Sequence, residues 1–98
     1  MSRTDTNFLK NRGVDPARAA IIALSALVWI LEQPTRAHRL LDLTGLSPQE
    51  LRARAGDPAL QAAILNFLGN HEPDLIACAA AIGHDPAELI QARDLLES

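Results

Sequence analysis

Hydrophobic residues recur every three or four positions along most of the chain, which is the spacing of an amphipathic α-helix. The clearest stripe falls in residues 58–68 and consists of Leu60, Ala63, Ile64, Phe67 and Leu68. Shorter stripes occupy residues 35–43 and 86–96. No window alternates between apolar and polar residues as a strand does. The pattern therefore predicts an all-α protein.

The predicted helices begin where Asp or Ser directly precedes Pro, at Asp15-Pro16, Ser47-Pro48, Asp57-Pro58 and Asp85-Pro86. A side-chain oxygen at the N-cap accepts a hydrogen bond from a free amide, and Pro suits the first helical position because it has no amide hydrogen to leave unpaired. Glu50 and Glu88 each follow a cap by three residues. Two capping boxes are therefore predicted.

Glycines mark the predicted helix ends, and we expect Gly45, Gly56, Gly69 and Gly83 to adopt the left-handed conformation there. These signals together predict helices at about residues 16–31, 35–43, 48–55, 58–68, 73–82 and 86–96. Residues 1–14 are expected to form a flexible polar lead, with room for one short turn around Phe8 and Leu9. Residues 15–98 are expected to form a single helical domain.

The helix predicted at residues 16–31 is apolar around almost its whole circumference, with Ile21, Ile22, Leu24, Leu27, Val28, Trp29, Ile30 and Leu31. A helix of this kind is either central in its own fold or shared with another chain. We expect it to be central, with the other helices around it. The predicted fold is a single-domain orthogonal bundle of five to six short helices around this central apolar helix.

Two segments of the chain have similar sequences, TGLSPQEL at residues 44–51 and IGHDPAEL at residues 82–89. In each copy a glycine ends one helix and a proline begins the next. The repetition predicts two similar helical hairpins, with the helix at residues 58–68 between them. Two copies are too few for a solenoid.

The first hairpin also looks like a helix-turn-helix, a DNA-binding motif, over residues 36–55, where Arg52 and Arg54 would face the major groove. Leu41 is large where such motifs need a small residue, and Arg54 occupies a position that they usually bury. The second copy of the turn leads into an acidic helix, which is unsuited to phosphate. A weak DNA-binding regulator is therefore the alternative interpretation, and a nucleic-acid partner is not expected.

Charge is unevenly distributed along the chain, whose net charge is −3. Residues 1–56 carry eight basic and five acidic residues, whereas residues 57–98 carry one basic and seven acidic residues. The two halves either attract each other within the fold or present two different faces to partners.

The most apolar run, residues 19–31, is thirteen residues long, shorter than the ~20 residues of a membrane span. A cytoplasmic protein with no membrane contact is expected.

Few residues are left for chemistry once the caps are assigned. His38 and Asp42 have the i, i+4 spacing of a metal-ligand pair, and His84 precedes Asp85, but the three histidines are scattered. The single cysteine, Cys78, lies in an apolar helix and is expected to act as a small buried hydrophobe. No catalytic residue, cofactor site or metal site is predicted, and the protein is not expected to be an enzyme.

Four arginines concentrate in the first hairpin and are the candidate partner-contact residues: Arg36, Arg39, Arg52 and Arg54. An apolar face rimmed by arginine is a common composition of protein interfaces. The predicted function is a non-enzymatic protein-interaction or regulatory module, with an unknown protein or a second copy of the chain as its partner. The competing interpretation is that these arginines are simply solvated.

The chain also resembles a family of small alphaproteobacterial helical proteins, known as domain of unknown function 3572. The resemblance covers roughly residues 19–96 and is carried by LTGLSPQELRARAGDP and AAILNFLGNHEPDLIACAAAIGHDPAEL. These motifs are structural, so the resemblance implies a fold and a bacterial cytoplasmic setting. It implies no catalytic or binding residue.

Overall fold

The computed structural model describes residues 14–98 and contains, over that range, six α-helices and no strand. The helices are α1 Pro16–Leu31, α2 Pro34–Thr44, α3 Pro48–Ala53, α4 Pro58–Gly69, α5 Glu72–Ile82 and α6 Pro86–Glu97. The prediction of an all-α fold is confirmed, and the predicted helix ends lie within two residues of these bounds. The turn suggested around Phe8 and Leu9 lies outside the described residues.

Two helices begin at aspartate caps, as the sequence predicts. The Asp15 side chain accepts a hydrogen bond from the Arg18 amide at 2.8 Å, and the Asp57 side chain accepts one from the Ala59 amide at 2.9 Å. Each bond satisfies an amide that has no partner inside its helix.

The first capping box lies at the start of α3. The Ser47 hydroxyl accepts from the Glu50 amide at 3.1 Å, and the Glu50 carboxylate accepts from the Ser47 amide at 2.9 Å. The hydrogen bond that the Ser47 amide donates to the carboxylate is the main cause of the lowered pKa of Glu50, and the Ser47 hydroxyl and the Arg54 charge lower it further.

The second predicted box lies at the start of α6, where Glu88 supplies its side-chain half and the Asp85 main chain takes the place expected for the Asp85 side chain. The Asp85 amide donates to the Glu88 carboxylate at 2.8 Å, while the Glu88 amide donates to the Asp85 main-chain carbonyl at 2.9 Å. The hydrogen bond from the Asp85 amide lowers the pKa of Glu88, burial opposes this change, and His84 and Arg18 lower the pKa further.

Only two of the four predicted glycine stops are left-handed. Gly45 and Gly83 have φ angles of 72° and 79°, so both copies of the repeated turn end their first helix in the same way. The prediction is wrong for Gly56 and Gly69, which do not have positive φ. At Gly69 a Cβ atom would lie 3.3 Å from Ile90 Cδ1, so its small size serves the close approach of α6.

The core forms where α1, α4 and α6 pack against one another, with α5 and α2 also against α1. Its fully buried side chains come from every described helix: Ile22, Ile30, Leu40, Leu51, Ile64, Leu65, Leu68, Cys78 and Leu89. α1 therefore occupies the central position that the sequence predicts. The two hairpins differ in packing, because α6 lies across the core whereas α3 enters it through Leu51.

Cys78 is fully buried, as expected of a small apolar residue. Burial raises the pKa of its thiol to about 11. Smaller effects come from Arg36, whose charge lowers the pKa, and from Asp74, whose charge raises it. Since the thiolate is the reactive form, this cysteine is a packing residue.

An ion pair connects the basic and acidic halves of the chain. Arg39 on α2 donates to Asp74 on α5 at 2.7 Å, and its guanidinium carbon lies 5.6 Å from the Phe67 ring centre. Burial alone would raise the pKa of Asp74, but hydrogen bonds from Arg39 and His71, aided by their charges, outweigh it and lower the pKa. Attraction between the two halves of the chain is therefore realised at this contact.

Among the helices of residues 14–98, none combines the length and apolar character needed to cross a membrane.

Replacing Asp57 with Ala should lower the free energy of unfolding by about 1 kcal/mol, because the Ala59 amide loses its acceptor. Urea denaturation at neutral pH measures the change. Asp42→Ala is the matched control, since Asp42 is exposed within α2 and Ala favours helix. Equal losses in the two variants would contradict the capping role.

Asp74→Asn should destabilise the protein by on the order of 1 kcal/mol near neutral pH, through loss of a partly exposed ion pair. An aspartate with a lowered folded-state pKa stabilises the fold above its unfolded-state pKa of about 3.9, and this stabilisation disappears as pH falls through the folded-state value. The difference between wild type and variant should therefore shrink in acid.

Urea denaturation at several pH values between 7 and 2.5 measures this difference. Asp42→Asn is the control, because it removes an exposed carboxylate on α2 without removing the contact to Arg39. A gap between wild type and Asp74→Asn that is unchanged at the lowest pH would contradict the assignment.

Candidate functional site

The outer face of α1 is apolar and exposed. Ile21, Leu24, Val28 and Leu31 are 61%, 38%, 60% and 45% exposed, and we call these four residues the α1 stripe. They follow one another at intervals of three, four and three residues, so they lie on one side of the helix. The buried residues of α1 lie on the opposite side. The helix is central without being enclosed.

An apolar groove opens beside this face, between α1, α2 and α3. It has a volume of about 340 Å³. We call it the α2–α3 groove. Aliphatic groups form its walls and floor, contributed by Leu27, Leu31, Pro34, Ala37, Leu41, Pro48, Leu51 and Ala55. His38 and Arg52 supply its polar side chains. Leu31 belongs both to this groove and to the α1 stripe, so the two surfaces are continuous.

A second depression lies between α4 and α6 and has a larger volume, about 450 Å³. Alanines make half of its lining, namely Ala59, Ala62 and Ala63, and Glu97 is its charged side chain. It offers little large aliphatic surface and no grouped chemistry. The α2–α3 groove is therefore the better candidate site despite its smaller volume.

Arg36, the first of the four predicted contact residues, is held by the corner between α1 and α2. Its guanidinium carbon lies 3.6 Å from the Trp29 ring centre, a stacked cation–π geometry. One terminal nitrogen donates to the Trp29 carbonyl at 2.6 Å, and the other donates to the Gln33 side chain at 3.1 Å. Its Nε atom is buried without a hydrogen-bond partner in the described structure. Arg36 therefore fastens the end of α1 to α2.

The other three arginines occupy three different settings. Arg39 pairs with Asp74, as described above, and Arg54 donates to Asp57 at 3.3 Å across the link between α3 and α4. Arg52 lines the groove and forms no ion pair with any residue in the range 14–98. The structure thus places one of the four predicted residues at the groove and gives the others local partners.

The histidines do not converge. His38 is exposed at the groove, whereas His71 lies 2.9 Å from Asp74 and His84 lies 3.3 Å from Glu88. Within the described part of the chain, no three His, Cys, Asp or Glu side chains group as a metal site would require. The His71 contact lies at the start of α5, and the His84 contact lies at the start of α6.

Neither the groove nor the exposed side of α1 was predicted from the sequence. The intervals within the α1 stripe were available in the sequence, but the apolar residues all around α1 hid them. Leu41, which lines the groove, was noted in the sequence only because it is too large for the turn of a helix-turn-helix motif. Gln61, buried and donating to the Ala55 carbonyl at 2.8 Å, also gave no signal, and it supports the α3–α4 link on which the groove depends.

Comparison with curated proteins and with solved structures finds no match. A family does match, over residues 16–98, which include all six helices and both copies of the repeated turn. Its description is "Protein of unknown function", so the match assigns no activity. On the strength of this match across most of its length, the chain belongs to the DUF3572 family.

Proposed function

We propose that this protein is a non-enzymatic interaction module whose α2–α3 groove binds an acidic amphipathic helix of a partner protein. The observation that carries the proposal is the open groove with aliphatic walls and Arg52 beside them. An amphipathic helix bound in a groove buries aliphatic side chains at helical spacing and keeps its polar face in water. We place this function in the bacterial cytoplasm, and regulation of the partner is the role that we expect.

The size and lining of the groove suit side chains. Its volume, about 340 Å³, is near the low end of the ~300–1,000 Å³ range of small-molecule pockets. Its polar side chains are few, whereas a cofactor needs several placed hydrogen-bonding groups. Burying one aliphatic side chain of a partner would contribute roughly 1.5–3 kcal/mol before the costs of association.

Charge selects an acidic partner. Arg52 is exposed, forms no ion pair in residues 14–98, and carries a fixed positive charge. His38 adds an imidazole ring, which can donate a hydrogen bond, at the same site. A carboxylate beside the aliphatic anchors of the partner would pair with Arg52, and such pairs contribute mainly to specificity and association rate.

We propose no enzymatic role, because several polar side chains that could serve in catalysis form helix caps instead. Asp15, Asp57 and Ser47 cap helices, and Glu50 and Glu88 close capping boxes. A nucleophile needs an adjacent base and an accessible reacting atom. Cys78 is buried, with its pKa raised to about 11.

DNA binding by residues 36–55 is the less favoured alternative. α3 has six residues, a length of only ~9 Å at 1.5 Å per residue. Arg54 lies at the C-cap of α3, paired with Asp57. A recognition helix would instead present several side chains to base edges along its length.

Affinity capture from extracts of the source cell tests the proposal. Wild type should retain a protein whose contact segment, mapped by crosslinking, is amphipathic and acidic. Ala37→Glu places a carboxylate inside the groove, and Arg52→Glu reverses the selecting charge. Each should reduce retention of that protein by at least about tenfold, the effect of ~1.4 kcal/mol in binding.

Ala81→Glu is the matched control for Ala37→Glu, because Ala81 is exposed on α5 away from the groove. It should leave retention unchanged, and circular dichroism should show that all variants are folded. A partner that survives both groove substitutions would refute the groove as its binding site. Retention of DNA that depends on Arg52 and falls steeply with salt would favour the alternative.

A further inference from the structure

We infer that the α1 stripe is the contact surface of a symmetric antiparallel homodimer. The three-four-three spacing of Ile21, Leu24, Val28 and Leu31 is that of the a and d positions of a coiled-coil seam. Each of these side chains is at least 38% exposed, although the face of α1 behind them is fully packed. This proposal does not depend on the function proposed for the groove.

A continuous exposed row of large aliphatic residues is unusual on a monomer and is typical of an association surface. Small residues flank the row, since Ala17 and Ala20 lie on the same side of α1. A second helix can therefore approach closely at the N-terminal end of the stripe.

The charges beside the stripe select a second copy of the chain in the antiparallel direction. Arg18 and Glu32 are separated by two heptads, so they lie along the same edge of the stripe at opposite ends of α1. Both are exposed, and neither forms an ion pair with any residue from 14 to 98. Arg18 is close enough to Glu88 to lower its pKa slightly, without an ion pair.

An antiparallel pair satisfies the stripe and its charged edge together. Ile21 of one copy then faces Leu31 of the other, and Leu24 faces Val28. In the same register Arg18 of each copy lies beside Glu32 of the other, which gives two opposite-charge contacts. A parallel pair would place the two Arg18 side chains at one end and the two Glu32 side chains at the other, with no opposite charge between them.

The expected dimer is reversible. α1 is already folded and packed within each protomer, so association does not have to order it. However, a helix of 16 residues provides a seam only ~24 Å long. The dimer should therefore be in concentration-dependent exchange with the monomer.

Sedimentation equilibrium on the full chain, from low micromolar to millimolar concentration, tests the inference. Wild type should shift from the mass of one 10.6 kDa chain towards twice that mass. Val28→Asp, at the centre of the stripe, should raise the dissociation constant at least about tenfold. Ile76→Asp is the control, because Ile76 is an apolar residue on α5 that is 52% exposed, and it should leave association unchanged.

Exchanging the charges tests the antiparallel direction. Arg18→Glu and Glu32→Arg should each weaken the homodimer, because each places like charges side by side. The double variant should restore it, and a mixture of the two single variants should form the heterodimer preferentially. Circular dichroism monitors folding in every sample.

A monomer throughout the concentration range would overturn the proposal, and so would a dimer that tolerates Val28→Asp. A dimer that is sensitive to Val28→Asp but indifferent to the charge exchange would overturn the antiparallel arrangement. Ala37→Glu should still dimerise, and Val28→Asp should still retain the groove partner. Failure of one proposal is thereby distinguished from failure of the other.

Discussion

The packing of the inner face of α1 against α4 and α6 is the contact on which the rest of the structure depends. Ala19, Ala23 and Ala26 are all fully buried on that face, and their small side chains let the neighbouring helices approach closely. Ile22 and Ile30 fill the space beside them. Since one face of α1 satisfies the core, its other face is left to solvent, and the exposure of the α1 stripe follows from that arrangement.

Short polar contacts stabilise several helix starts and the corners between helices. Asp57 and Ser47 satisfy free amides at two helix starts, and Arg36 stacks on Trp29 where α1 meets α2. Arg39 joins α2 to α5 through Asp74. Both proposed binding surfaces therefore depend on surface shape and on charges that form no ion pair within residues 14–98, such as Arg52 at the groove.

Two adjoining surfaces of different character emerge from this arrangement. The α2–α3 groove is concave, with Arg52 beside aliphatic walls, and suits a segment of another protein. The α1 stripe is a straight row with a basic and an acidic residue at its ends, and suits its own copy. Leu31 contributes to both surfaces. A dimer through the stripe would thus hold two grooves in a fixed relation, which would favour a bivalent partner.

The sequence by itself determined the helices, because helix starts and stops depend on neighbouring residues: Ser47 needs only the Glu50 amide, and Gly45 needs only its own φ freedom. It also identified α1 as central and Cys78 as buried. Only the tertiary structure decided which half of the apolar circumference of α1 is covered, that Gly69 serves close packing, and that Arg52 alone of the four arginines lines the groove. Those outcomes depend on contacts between helices distant in sequence, and a periodic pattern within one helix carries no information about which neighbour will cover it.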